Sequence, residues 1–266
     1  MAERAERILA TANRWQLWLD ETPRAGWVNM AIDQTLLDRA EQVGEGWLRF
    51  YTWEPHCLSF GRHEPAARRY DAGRIAAMGI DTVRRPTGGR AVWHSRELTY
   101  AVAAPCRWFG SLRLAYLEIH RLLADVLIDL GIPVSLAQPG RSAPLTAGAC
   151  FAQATGGELM VGARKLVGSA QLRRGDAFLQ HGSILLQDQQ QLVAALGRGS
   201  AAPPPDHFPS LPTGRLSTTR LAEAIAMGAR ARWGGSWQAV GAEPNMLEAA
   251  LQYYPQFRSP AWTWQR

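Results

Sequence analysis

Residues 157–186 read GELMVGARKLVGSAQLRRGDAFLQHGSILL, and this stretch decides the fold class. Three runs in it are strand-like: one near 157–161, one at 165–171 and a long one at 177–186. Gly162-Ala163-Arg164 turns the first into the second, so together they form a three-stranded meander. The elements around it alternate in kind. Residues 14–19 (RWQLWL) read as a strand and 28–42 as an amphipathic helix with Asn29 as its cap. WLRFYTW (47–53) and CLSF (57–60) are strands on either side of a Glu54-Pro55-His56 turn. Residues 65–78 read as a helix and 79–85 as a strand. ELTYAVAAP (97–105) alternates Leu98, Tyr100 and Val102 and reads as a half-buried strand. The clearest helix is 113–130, whose Ile119, Leu122, Leu123, Val126, Leu127 and Leu130 form one apolar stripe ended by Gly131 and Pro133. Further helices are expected at 188–197, 218–232 and 244–254. Antiparallel strand groups mixed with helices give the class α+β: a mixed, mostly antiparallel sheet with flanking helices. The expected organisation is one main domain over 1–197, a Pro-rich connector at 198–218 and a C-terminal helical segment, 219–266, packed on the same domain.

Composition narrows the function. The chain is 47% hydrophobic and 20% charged, which suits a globular protein. No run approaches the ~20 apolar residues of a membrane helix, and Met1–Asp20 lacks a signal-peptide core, so no membrane role is expected. Cys57, Cys106 and Cys150 show no CxxC spacing, which indicates neither a disulfide framework nor a metal site and points to the reducing cytoplasm. The net charge of +6 is carried by scattered arginines with no nucleic-acid module, and favours an acidic protein partner. Of the 29 basic side chains, Lys165 is the one lysine. Either codon drift toward Arg missed one position, or a compact amine is needed there.

Four segments could carry chemistry. Arg84-Arg85-Pro86-Thr87-Gly88-Gly89-Arg90 leads to His94; its Gly-Gly pair is either a plain hairpin turn or a loop whose amides approach a ligand. Cys150 sits in Gly148-Ala149-Cys150-Phe151 beside a loop, whereas Cys57 and Cys106 read as buried small hydrophobes. Lys165 opens a strand, with Val167 and Ser169 on its face, and flanking Leu and Val imply desolvation, hence a lowered pKa or a strong hydrogen bond. His181 alternates with Leu179, Ser183 and Leu185, the pattern of a hydrogen-bonded core histidine or of a catalyst.

In order, RRPTGGRAVWHSRELTYAV, ACF, GARKLVGSAQLRR and LQHGSILL resemble the lipoate–protein ligase A / biotin ligase superfamily. Within it the chain looks most like the single-Cys, ligase-like octanoyl-[acyl carrier protein]:protein N-octanoyltransferases. The resemblance runs from Trp15 to Leu186 and implies a biotin/lipoate-ligase catalytic-domain fold over 1–197. It implies an acyltransferase that moves octanoyl from acyl carrier protein to a lysine of a lipoyl domain, such as the glycine cleavage H protein, with no cofactor and no nucleic acid. Cys150 falls at the family's nucleophile and Lys165 at its acyl-carbonyl-binding lysine, which is also the best base candidate. Arg84, Arg85, Thr87, Gly88, Gly89, His94, Gly168, Ser169, Ala170, His181 and Gly182 would line the acyl tunnel. Two positions depart from the family pattern: Ser95 replaces a common Asp, and His63-Glu64 replaces an aromatic then Gln. The competing readings are an ATP-dependent lipoate ligase, an amidotransferase between lipoyl domains, and a noncatalytic carrier or nucleic-acid-binding module on this fold.

Overall fold

The computed structural model describes residues 13–137, 157–200, 207–241 and 244–265. Among the described residues eleven strands run β1 (Arg14–Leu19), β2 (Gly46–Tyr51), β3 (Cys57–Phe60), β4 (Asp81–Arg84), β5 (Val92–His94), β6 (Glu97–Pro105), β7 (Ser135–Leu136), β8 (Leu159–Val161), β9 (Arg164–Arg174), β10 (Ala177–Leu185) and β11 (Ser236–Val240). Eight of them form one sheet in the order β11-β1-β2-β6-β10-β9-β8-β7, and β4-β3-β5 form a second. The expected meander is β8-β9-β10, antiparallel throughout. From β2 to β7 every pairing is antiparallel, and β11-β1-β2 is the parallel end.

Three long helices cover the main sheet: α1 (Gly26–Gln42), α2 (Leu112–Asp129) and α3 (Thr218–Trp233). The stripe of α2 and the buried side of α3 pack on one face with Tyr100, Phe178 and Ile184. Helix α1 packs on the other, with Ala101, Ala103 and Leu179. That double cover explains a difference from the sequence. All nine residues of β6 are buried, because both faces of the strand meet helices.

Other local readings change for identifiable reasons. Helix α1 begins at Gly26, so Asn29 is not its cap. The Gly26 amide donates instead to Asp81 of β4, a partner distant in sequence, and the Asn29 amide donates to the carbonyls of Arg24 and Thr52. The helix expected at 65–78 is two short pieces, Ala66–Arg69 and Ala72–Ala77. Extended Tyr70 separates them by bridging to Gly197, and Asp71 caps the second piece. The 188–197 helix shrinks to Gln191–Ala195. Within the supposed connector, Leu211 and Thr213 are buried. The C-terminal region is not wholly helical: β11 follows Gly234-Gly235 and joins the sheet edge beside β1.

A buried charge cluster ties α1 to β1 and β2. Arg49, fully buried, donates to Asp20 at 2.7 Å and to Asp33 at 3.0 Å. Burial raises the Asp20 carboxyl, but hydrogen bonds and charge from Arg24 and Arg49 outweigh this and hold it below its usual value. Removing one member of a buried pair leaves the other charge uncompensated, at ~3–5 kcal/mol. Arg49→Met is therefore expected to lower the unfolding free energy by about that amount in urea titration.

Candidate active site

A largely apolar cavity with about 410 Å³ of atom-free space, partly open to solvent, lies between the two sheets. Helix α1 supplies Met30; the β2 end supplies Tyr51 and Trp53; the loop after β4 supplies Arg85 and Gly89, and β5 supplies Val92 and His94. The main sheet supplies Thr99, Gly168, Ser169, Ala170, His181, Gly182 and Ser183. Eight residues expected from sequence thus meet here: Arg85, Gly89, His94, Gly168, Ser169, Ala170, His181 and Gly182. The glycines are needed for close approach. A Cβ on Gly182 would stand 2.3 Å from Ser169 Oγ and 2.8 Å from the Gly168 carbonyl. Gly89 has φ +92°, and its carbonyl lies 1.9 Å from where a Gly61 Cβ would be, so two loops touch backbone to backbone.

The other expected residues sit elsewhere. Thr87 is buried behind the cavity and bonded to His181. The Gly88 carbonyl accepts from Arg85 at 3.2 Å. Arg84 is not brought to the cavity. Its guanidinium donates to the carbonyls of Gly61, Glu64, Trp262 and Thr263 at 2.7–3.0 Å, pinning the C-terminal segment to the loop after β3. Lys165 is 4% exposed and donates to Glu158 at 2.6 Å, across the β8-β9 hairpin and off the cavity wall. The strong hydrogen bond expected as one possibility is thus present at Lys165. Cys150 lies outside the described residues.

Two histidines face the cavity, each backed by a carboxylate. His181 Nδ1 lies 2.9 Å from Asp33 Oδ2, and its Nε2 lies 2.6 Å from the Thr87 hydroxyl. Asp33 also accepts from Tyr51 at 2.8 Å and from Arg49. His94 Nδ1 lies 2.6 Å from Glu97, which also accepts from Thr99 and Ser183. His94 Nε2 meets Ser59 Oγ, itself an acceptor from Arg85, and Trp53 stacks on the ring at 3.9 Å. Burial pushes the His94 pKa below its usual value, against the pull of Glu97. The Ser95 hydroxyl turns away to Gln189, so Glu97 is the carboxylate that holds His94. Glu64 pairs with Arg69 and accepts from Tyr70, while His63 is exposed.

Behind the cavity wall, His120 of α2 reaches Ser169 Oγ at 3.0 Å, and Tyr100 reaches the same oxygen at 2.7 Å. Burial drives the His120 pKa down to about 3; the Tyr116 backbone carbonyl, as an acceptor, opposes this and the Lys165 charge adds to it. Folded His120 is therefore neutral, while the unfolded chain takes up its proton below about pH 6.5. Its contribution is intact above that value and declines as pH falls toward about 3. His120→Gln is expected to flatten the fall in urea midpoint between about pH 7 and 4; an unchanged slope would contradict this. His94 acts in the same direction, so the flattening is partial.

Residues 25–214 match the model of the lipoyl protein ligase A/B catalytic domain. The chain belongs to that family. Among family members it is 39% identical over 221 residues to octanoyltransferase LipM of Symbiobacterium thermophilum, covering 79% of this chain and 78% of that one. It is 42% identical over 183 residues to octanoyltransferase LipM of Moorella thermoacetica, covering 66% of each. With the Carboxydothermus hydrogenoformans LipM it shares 40% identity, over 64% of each chain. The match thus spans just under two thirds of the length of the last two relatives. The family fold is seen in a lipoate-protein ligase A bound with ATP: TM-score 0.75, 20% identity, 95% of this chain and 98% of that one. It recurs in a bipartite lipoate protein ligase of Thermoplasma acidophilum, with TM-score 0.72, 18% identity and coverage of 96% and 98%.

Sequence reasoning missed Asp33, Ser59, Glu97 and Glu158. Asp33 left a trace, an acidic residue inside a helix whose other residues are mostly buried. Glu97 stands three residues after His94, at the start of an apolar strand. Ser59 and Glu158 carried no signal, because their partners are 35 and 7 residues away in the chain.

Proposed function

We propose that this protein transfers an octanoyl group from octanoyl-acyl carrier protein, through a thioester on Cys150, to a lysine of a lipoyl domain such as the glycine cleavage H protein, in lipoate biosynthesis. The observation that carries the reading is the cavity, an apolar slot walled by glycine backbone and bordered by two carboxylate-backed histidines. An octanoyl chain gains ~0.8 kcal/mol for each CH₂ buried there. The naming of 39–42% identical relatives as octanoyltransferases supports the choice of acyl group.

Exchange between two thioesters is nearly energy-neutral, and amide formation is downhill, so ATP is not required. The cysteine splits the transfer into two steps. The two described cysteines are poor nucleophiles. Burial pushes the Cys57 thiol well up, helped by Asp81 and Glu97, and burial likewise raises that of Cys106. In this reading Lys165 supplies an ammonium donor to the tetrahedral oxyanion, so the reacting carbonyl lies outside the apolar slot, off whose wall Lys165 stands paired with Glu158. The net charge of +6 suits acyl carrier protein as an acidic donor partner.

The test is intact mass. Incubated with octanoyl-acyl carrier protein, the protein is expected to gain ~126 Da, located at Cys150 and discharged by an apo lipoyl domain. A lipoate- and ATP-dependent product with no such adduct would replace this reading with a ligase.

A further inference from the structure

We infer that Met30 sets the acyl-chain length, acting as the stop that meets the terminal methyl of the octanoyl group at the floor of the cavity; the inference rests on the octanoyl-transfer reading above. The cavity has a direction. Gly89 is exposed and Ser169 and Ala170 are half-buried, so they stand at its mouth. Met30, at 0% exposure, and Tyr51, at 1%, are the most enclosed side chains that line it, and they stand at its floor. A chain whose carbonyl lies outside the slot enters at the mouth with its methyl end leading. The floor therefore meets the last carbons.

The lining is stiff around Met30. Tyr51 donates to Asp33 at 2.8 Å, and Trp53 donates to Thr99 at 2.7 Å while its ring stacks on His94. Thr99 and Ser183 both donate to Glu97, and Arg85 is clamped onto Ser59 and the Arg90 carbonyl. Moving any of these side chains would strand a buried partner, so they resist displacement. Val92 is β-branched and stiff at χ1. Met30 differs. It packs by apolar contact, and its unbranched thioether adapts to the space it is given. Helix α1 fixes its place, one turn before Asp33 on the same helix face, and Asp33 holds both Tyr51 and His181. Among the described residues, Met30 is thus the flexible apolar side chain of the cavity, and the depth of the slot follows its size.

Length is then read as burial. Each CH₂ that finds room gains about fourfold in affinity, and one that finds none must push the floor aside. Alanine at position 30 removes Cγ, Sδ and Cε and opens space for about two further carbons. Phenylalanine sets a stiff ring where a flexible chain stood, and takes space from the end of the octanoyl group.

The test is a competition. Wild type, Met30→Ala and Met30→Phe are each offered hexanoyl-, octanoyl-, decanoyl- and dodecanoyl-acyl carrier protein at equal concentration. Intact mass separates the acyl-enzymes by ~28 Da for every two CH₂. The ratio of adducts within one sample counts only folded protein, so a loss of stability cancels. Wild type is expected to carry octanoyl. Met30→Ala is expected to raise the ratio of decanoyl to octanoyl adduct by ~10-fold or more, the gain from two newly housed methylenes. Met30→Phe is expected to raise the ratio of hexanoyl to octanoyl by ~10-fold, since two methylenes lose their room. Wild-type ratios in the variants, or shifts toward the same chain length in both, would overturn the inference. If Met30→Phe does not fold, the alanine ratio decides alone. If wild type forms no acyl-enzyme from any of the four donors, the functional reading fails instead.

Discussion

Cys150→Ala is expected to cut octanoyl transfer from acyl carrier protein by at least ~10⁴-fold, the scale seen when a nucleophile is removed from a covalent mechanism. Without it, two carrier proteins would have to bind one cavity mouth together, with the thioester and the lysine in line. The proposed covalent intermediate would avoid this, because the octanoyl chain would stay in the apolar slot while the donor leaves and the acceptor arrives. The control is built into the chain. Cys57 and Cys106 are both buried, so Cys57→Ser and Cys106→Ser should leave the ~126 Da adduct on Cys150. If Cys150→Ala retains turnover with an unchanged melting temperature, the thioester route is wrong.

Much of the fold was legible because its signals are local. The meander around Lys165 is written in two turns and an alternating pattern, and α2 in one stripe ended by Gly131. What was not legible depends on partners distant in the chain. Asn29 reads as a cap until Asp81 is seen to accept from the Gly26 amide. Strand β6 reads as half-buried until helices are seen on both faces. The cavity shows the same division. Motif glycines and histidines announced themselves, but the groups that orient them did not. Asp33 meets His181 across 148 residues, a contact that only the packing of α1 on β10 creates. Arg84 shows the converse. It lies in the motif with Arg85, yet the side chains diverge, Arg85 to the cavity and Arg84 to the C-terminal carbonyls.

Lys165→Arg is expected to fail nearly as badly as Lys165→Ala, with turnover down ~10²–10³-fold in each, the usual loss when an oxyanion donor goes. Charge is not the reason, since every other basic residue here is already arginine. Size and shape are. The amine sits 4% exposed and 2.6 Å from Glu158. A guanidinium there must overpack its surroundings, at ~1–3 kcal/mol, and its planar fork would turn two donors onto the carboxylate. A single rotatable ammonium can hold Glu158 with one hydrogen and aim another elsewhere. Alanine fails differently, because it leaves Glu158 as a buried charge without its ammonium, at ~3–5 kcal/mol. The two variants should therefore be alike in turnover but unlike in urea midpoint, with alanine the less stable. Near-normal turnover in a well-folded Lys165→Arg protein would mean that the single lysine is an accident of composition.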